Sequence, residues 1–386
     1  MLDSAEYYLN RYKELSGQHD AFYGTQRARE EAVAPVKLVA KPRARIYFDG
    51  AAFLNNHQNY IGSGTSISDI RLGASGTYGK FEGMIDLGFA KNAISLKDVY
   101  IAYHFKENSV VELGHYPEPF GIDYMDSSSS VKFIDEGIVM QAFCPSRNLG
   151  LMYTGWNKVI WGAIGAFSDN DLSSRLNRFG NDGYALTGRF VLNPFRTDGN
   201  ILHLGVAGTY RIPDSVKKEG ESRSVSYGTT LGSMINSEEF VSAEVKDAKS
   251  TVKIAAEFIG AYQKVIFQGE YIHAATQRHN NLSPFKSNGF YTQVAFLAIG
   301  SDYKYDEAVA RYALPAPGSL EFAVRWAHVN LDCPEAAIMG GIQNQLTLGC
   351  NYYWKPFLRM RLNYDMAHVK GLNTFNYVSA RVMLLF

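Results

Sequence analysis

The chain has 386 residues and a formal net charge of +0, from 38 basic and 38 acidic side chains. The balance leaves no basic excess for nucleic acid, and no run of about 18 apolar residues exists to form a transmembrane helix. The unusual counts are 25 Tyr, 23 Phe and 35 Gly, which suit either a soluble all-β protein or a membrane barrel with aromatic girdles.

Residues 2–34 are charged and helix-like. Leu2, Ala5, Leu9, Tyr12, His19, Phe22 and Gln26 follow a three-four spacing, interrupted by Gly17 and Gly24. A short oligomerising coiled coil and an ordinary amphipathic or partly disordered arm both fit it. Pro35 and Pro42 flank the exit into the first strand, so residues 1–42 are expected to be an N-terminal helical periplasmic arm and linker. Export requires a signal peptide, and none precedes Asp3; the sequence is expected to be the mature form with an added or misassigned Met1.

From residue 43 the period becomes two. In RMRLNYDMAH, Met360, Leu362, Tyr364 and Met366 oppose Arg359, Arg361, Asn363 and Asp365. In ILHLGVAGTYR, Leu202, Leu204, Val206 and Tyr210 oppose His203, Gly205, Ala207, Thr209 and Arg211. In SLEFAVRWAH, Leu320, Phe322, Val324 and Trp326 oppose Glu321, Ala323, Arg325 and Ala327. Such segments begin near residues 43, 67, 80, 95, 109, 148, 158, 183, 200, 252, 263, 287, 319, 343, 356 and 375. Short turns such as Lys355-Pro356 alternate with longer polar loops. That rhythm, over about sixteen strands, predicts an all-β transmembrane antiparallel barrel spanning residues 43–386, in a bacterial outer membrane. The last strand, FNYVSARVMLLF, puts Val378, Ala380, Val382, Leu384 and Phe386 in one lipid-facing row. Pairing of this strand with the first leaves no open edge in lipid, and Phe386 is expected to be the signal read by the barrel-assembly machinery.

Catalytic patterns are absent: there is no G-x-S-x-G, H-E-x-x-H or Walker A sequence. Adjacent Asp135 and Glu136 are ordinary loop carboxylates, and His203 and His328 are expected to face the lumen. Cys144, Cys333 and Cys350 lack metal-type spacing and allow one disulfide at most. No enzyme, cofactor or metal site is expected. Residues 118–147 differ in kind. Val131, Phe133, Ile134, Ile138, Val139 and Met140 suit external water poorly, so this long loop is expected to fold into the lumen and narrow it. An external loop packed on its neighbours is the alternative.

At this loop the chain resembles the phosphate-selective porin O/P family. The similar stretches are SLKDVYIAYHF, VVELGHYPEPFGIDYMDSSSS, NILHLGVAGTYR, VIFQGEYIHA, NGFYTQVAFLAIGS, LTLGCNYYWKPFLRMRLNY and the terminal strand, all in the family's order. The resemblance implies sixteen strands, a homotrimer and a third external loop folded inward. It also implies an anion site of basic residues, matched here by Arg45. Elsewhere the pattern changes. Ser68-Asp69 stands where the family has a double Arg, Glu82 and Glu112 stand for strand lysines, and Tyr124 and Glu136 stand for basic loop residues. The fifth loop offers only Lys217, Lys218 and Arg223 toward a basic ladder. Carboxylates at those positions repel an anion.

The expected function is passive diffusion of small hydrophilic solutes or ions through a weakly selective trimeric pore. A phosphate- or anion-selective porin and a plugged structural or adhesive barrel are the alternatives. Expected pore-lining residues are Arg45, Glu82, Asp98 and Glu112 on early strands, and Asp123, Tyr124, Asp126, Lys132, Asp135 and Glu136 in the loop. Arg359, Arg361 and Arg381 complete the set on late strands. An acidic early wall with Asp49, Asp69 and Asp86 would face a basic late wall with Arg189, Arg211, Lys253 and Arg325, giving a transverse field; local pairing of these charges, with no net field, is the alternative. Outer-membrane lipid and lipopolysaccharide are the expected surroundings.

Overall fold

The structure, a computed structural model, describes residues 37–55, 61–90, 94–125, 127–169, 181–215 and 222–386. The expected helical arm lies outside these residues, apart from its last few positions, as do Asp126, Lys217 and Lys218.

A strand that is apolar on one face and polar on the other can close on itself when lipid lies outside and water or protein inside. Sixteen strands do so here. They begin with β1 (Val39–Phe53), β2 (Gly64–Tyr78), β3 (Phe81–Gly88), β4 (Ser95–Lys106), β5 (Ser109–Pro117), β6 (Arg147–Trp156), β7 (Ile160–Asp169), β8 (Gly183–Thr197) and β9 (Asn200–Ile212). A short hairpin follows, β10 (Ser224–Thr229) with β11 (Val241–Lys246). The barrel resumes with β12 (Ala248–Tyr262), β13 (Val265–Arg278) and β14 (Phe285–Ile299). A second small hairpin, β15 (Tyr305–Asp306) with β16 (Arg311–Tyr312), precedes β17 (Ser319–Cys333), β18 (Ile338–Lys355), β19 (Leu358–Val369) and β20 (Thr374–Leu385).

Every neighbour is antiparallel, and β20 closes on β1 with Ile46 opposite Leu384 and Phe48 opposite Val382. The Ala44 and Phe386 main chains exchange hydrogen bonds of 2.9 and 2.8 Å, so the last residue completes the seam. β1 starts at Val39 rather than 43, and takes Pro42 into the strand. Only β2 pairs with β1 there, because β20 joins from Arg45 onward, and a strand with one neighbour tolerates a missing N–H.

The side-chain alternation sorts apolar groups outward and polar groups inward. On β19, Leu362 is 50% exposed while Arg361, Asn363 and Asp365 are buried. On β20, Ala380 and Val382 face out while Ser379 and Arg381 face in. His203 faces inward, wholly buried. His328 does not: it shares parity with outward Trp326, lies partly exposed, and packs its ring 5.4 Å from outward Phe290. His328 is two positions from Trp326, so alternation itself puts it outside the lumen. Cys144, Cys333 and Cys350 are free thiols.

The chain termini lie at one end of the barrel with short turns such as 79–80, 107–108 and 356–357. The longer connections 118–146 and 213–247 lie at the other. Residues 300–318 break the rule, a long connection at the end of the short turns. The connection 118–146 carries helix α1 (Ile138–Phe143). Its apolar residues are covered: Val131, Phe133, Ile134, Ile138, Val139 and Met140 are each at most 2% exposed. α1 and Phe120 join a core with Tyr227, Val241, Ile272, Phe285 and Val329.

Candidate functional site

A backbone outside a ladder still needs partners for its carbonyls and amides. For residues 118–146 these come from charged side chains on distant strands. Arg325 donates to the Asp135 carbonyl at 3.2 Å, and Arg359 to the Ser129 carbonyl at 2.9 Å. Arg361 donates to the carbonyls of Ser128, Ser129 and Phe133 at 2.7–3.0 Å. Arg381 donates to the Ile134 carbonyl at 2.7 Å and makes two 2.7 Å bonds to Asp49. On other strands, Lys253 donates to the Phe143 carbonyl at 2.7 Å, and Glu270 accepts from the Ile122 amide at 3.1 Å. Planar guanidinium forks suit the task because they present several donors in one plane.

Residues 300–318 are tied to the same region. Trp161 donates to the Ala308 carbonyl at 3.0 Å, and Arg189 to those of Val309 and Ala310 at 3.3 and 3.0 Å. Arg311 donates to the Ser130 carbonyl at 3.4 Å. Lys132 joins the two segments. Its ammonium sits 4.6 and 4.0 Å from the Tyr303 and Tyr312 ring centres and 2.6 Å from Glu321. Glu321 also accepts from Asn351 and Tyr353 at 2.9 and 3.0 Å, so a fully buried charge is paired and bonded throughout.

Open space remains along β1–β6. One cavity, about 530 Å³, is lined by Tyr47, Asp69, Arg71, Lys97, Arg147 and Arg381, and by Asp123, Tyr124, Ser128 and Glu136 of the connection. A second, about 440 Å³, is lined by Arg45, Glu82, Asp98, Tyr100, Glu112 and Trp156, with Met125 and Ser127 of the connection and Val309. Arg71 and Arg147 line both, so the cavities adjoin there. At this junction Arg45 pairs with Asp69 and donates to Ser127 Oγ at 2.8 Å. Arg71 lies 3.2 Å from Asp69 and 3.8 Å from Asp86, and Arg147 lies 2.8 Å from Asp98. The charges are matched within a strand or between strands one or two places apart. The expected acidic and basic walls are therefore neutralised locally, as Arg381–Asp49 and Arg189–Glu257 also show at 2.7 and 2.8 Å.

Of the expected pore residues, Arg45, Glu82, Asp98, Glu112, Asp123, Tyr124, Glu136 and Arg381 line these cavities. Lys132, Asp135, Arg359 and Arg361 do not; their polar groups are engaged in holding residues 118–146. Burial, and then the Asp135 carboxylate beside it, push the Glu136 carboxyl up to about 6. Burial also raises the Tyr124 hydroxyl above its ordinary range.

Two cavity residues escape a sequence reading. Alternation places Lys97 with outward Val99 and Ile101. A bulge opposite Asp86, between the pairs Ile85–Val99 and Leu87–Leu96, turns it into the larger cavity instead. Arg147 reads as the last residue of a loop but opens β6 and pairs with Pro117.

The sequence profile of phosphate-selective porin O and P matches residues 43–385. The chain belongs to that family. As a porin it is a passive channel of the bacterial outer membrane. No curated protein sequence matches this porin. Its fold is similar to OmpT of Vibrio cholerae in a trimer form, with TM-score 0.62, 9% identity, and coverage of 90% of this chain and 99% of that one. An anion-selective porin of Comamonas acidovorans gives 0.59 at 10% identity, covering 91% of this porin and all (100%) of that chain. The outer-membrane channel DcaP of Acinetobacter baumannii gives 0.57 at 11%, covering 90% and 97%.

Proposed function

We propose that small hydrophilic solutes and ions cross this porin along the β1–β6 wall, with residues 118–146 acting as its inward-folded constriction loop. The observation that carries this reading is the pair of cavities meeting at Arg71 and Arg147, with strand residues on one side and loop residues on the other. The hydrogen bonds from Arg325, Arg359, Arg361 and Arg381 to loop carbonyls support a fixed loop. Selectivity is weak. Six basic side chains line the two cavities (Arg43, Arg45, Arg71, Lys97, Arg147, Arg381) against seven acidic ones (Asp69, Glu82, Asp86, Asp98, Glu112, Asp123, Glu136), so neither ion sign dominates.

A phosphate site needs converging donors that are still free. Arg45, Arg71 and Arg147 already serve carboxylates, which argues against phosphate as the preferred solute. An anion-preferring pore is the second reading. Lys97 favours it, since its ammonium has no hydrogen-bond or ion-pair partner among the described residues and stands near Arg71 and Arg147.

In the membrane the porin is a homotrimer surrounded by outer-membrane lipid and lipopolysaccharide, with the arm of residues 1–42 on the periplasmic side. Phe386 is the mark read by the assembly machinery. The protein works as a channel rather than an enzyme. Pure protein in a planar bilayer should give discrete conductance steps in potassium chloride. A barrel that inserts and stays silent would support a plugged structural or adhesive role.

A further inference from the structure

The smaller cavity lies toward the end of the barrel that carries the chain termini and short turns, the periplasmic side in the reading above. Its wall carries two carboxylates at one height. The ladder sets Glu82 opposite Ala102 and Ala102 opposite Glu112. Adjacent strands lie about 4.8 Å apart, so the two backbones stand roughly 10 Å apart with only the Ala102 methyl between them. A larger residue there would fill the notch. Glu82 is held by the Tyr100 hydroxyl at 3.0 Å and the His104 ring at 3.2 Å. The Glu112 carboxylate has no hydrogen-bond or ion-pair partner among the described residues, while the Tyr116 hydroxyl donates to the Glu112 main-chain carbonyl at 3.0 Å.

The cations nearby do not supply one. Arg45, Arg71 and Arg147 are matched to Asp69, Asp86 and Asp98. Arg43 lies exposed near the start of β1, its guanidinium against the Met84 sulfur at 2.8 Å. The rest of the lining is aromatic and soft. Tyr100 and Tyr116 stand edge to face with ring centres 6.1 Å apart, and Trp156 and Trp161 also line the chamber. Met84, Met125 and Met152 fill the spaces between.

An unpartnered carboxylate among ring faces and thioethers suits one chemistry. An ammonium group gains a charge-assisted hydrogen bond and cation–π attraction, and its apolar body gains the methionines and rings. An anion would meet Glu112 unscreened, and a neutral solute would leave it unmatched. We propose that this chamber is a subsite for solutes carrying an ammonium group on an apolar or aromatic body. The proposal rests on the channel reading above and gives the lower half of the pore the opposite preference to the anion named in the family's title.

The test is block of potassium chloride current through single porins in a planar bilayer. The probes are 2-phenylethylammonium, phenylacetate and benzyl alcohol. The ammonium should block in a concentration-dependent way, more strongly from the periplasmic side, and the other two should not. Glu112→Gln should weaken the block roughly tenfold relative to that variant's own unblocked current, the loss of one charge-assisted bond. Ala102→Met, which fills the notch and keeps both carboxylates, should weaken it too. Wild-type pores that conduct but show no ammonium block overturn the subsite and leave the channel intact. Equal block in wild type, Glu112→Gln and Ala102→Met overturns it as well. Absence of any potassium chloride conductance would remove the channel reading and the subsite with it.

Discussion

Arg361 gives its terminal donors to three backbone carbonyls of residues 118–146, and Arg381 divides its own between Asp49 and the Ile134 carbonyl. Their inward direction was legible from alternation, but their partners were not, since those lie more than 220 residues away in sequence. Lys97 was hidden for a different reason: one extra residue in a bulge reverses parity, and no residue type announces it. Lys132 tests the anchoring. Lys132→Met leaves Glu321 buried without its cation, which costs about 3–5 kcal/mol. The unfolding midpoint in detergent should fall and the open-channel current should become noisier. Glu136 tests the larger cavity. With its carboxyl raised to about 6, folding holds this proton more tightly than the unfolded chain does, so the group's contribution to stability falls as pH rises from its ordinary value through 6. Its charge, facing Arg147 and Arg325 beside Asp135, is lost as pH drops from about 7.5 to about 5. Acidification should therefore move the reversal potential toward anions. In Glu136→Gln that pH-dependent part should vanish.

Strand β20 shows what alternation makes readable. Each of the sixteen barrel strands starts within a few residues of where period-two patterning and turn residues place it, β4, β5, β8, β9 and β17 at the same residue. The connection 118–146 also stood out in the sequence, through apolar residues that suit external water poorly. Residues 300–318 did not. Their anchors, Trp161, Arg189 and Lys132, come from other elements, and such contacts leave no local pattern. Because Val382 and Leu384 belong to the outward row that closes on β1, replacing both with Asp, or deleting Phe386, should abolish heat-modifiable barrel in the outer membrane. Deeper in the bilayer, Val324 stands outward between Val294 and Leu348. Val324→Arg should cost about 2–4 kcal/mol, read as a lower unfolding midpoint. The stripe Leu2–Gln26 makes the arm the expected trimer clasp. Removing residues 2–34 should lower the temperature at which trimers dissociate in detergent, and an unchanged temperature would assign the arm another role.

At the scale of the molecule, the barrel is asymmetric in cross-section. Loop and turn segments pack against the later strands, while open space follows β1–β6. Fold and membrane could be argued from the sequence because they rest on periodicity, which is local, while the channel class came from the long apolar loop and the family resemblance. Selectivity could not, because it depends on which charges pair, and pairing neutralised the two walls that sorting by strand had suggested. Phosphate selectivity, named in the family's title, would have to use Arg45, Arg71 and Arg147, which are paired with carboxylates here. The deciding measurement is the reversal potential of single porins in a potassium chloride gradient, repeated with added phosphate. A small reversal potential and chloride current unaffected by phosphate are expected. A large anion-selective potential with block by low phosphate would contradict the weakly selective pore and show that Arg45, Arg71, Lys97 and Arg147 converge on an anion despite their carboxylate neighbours.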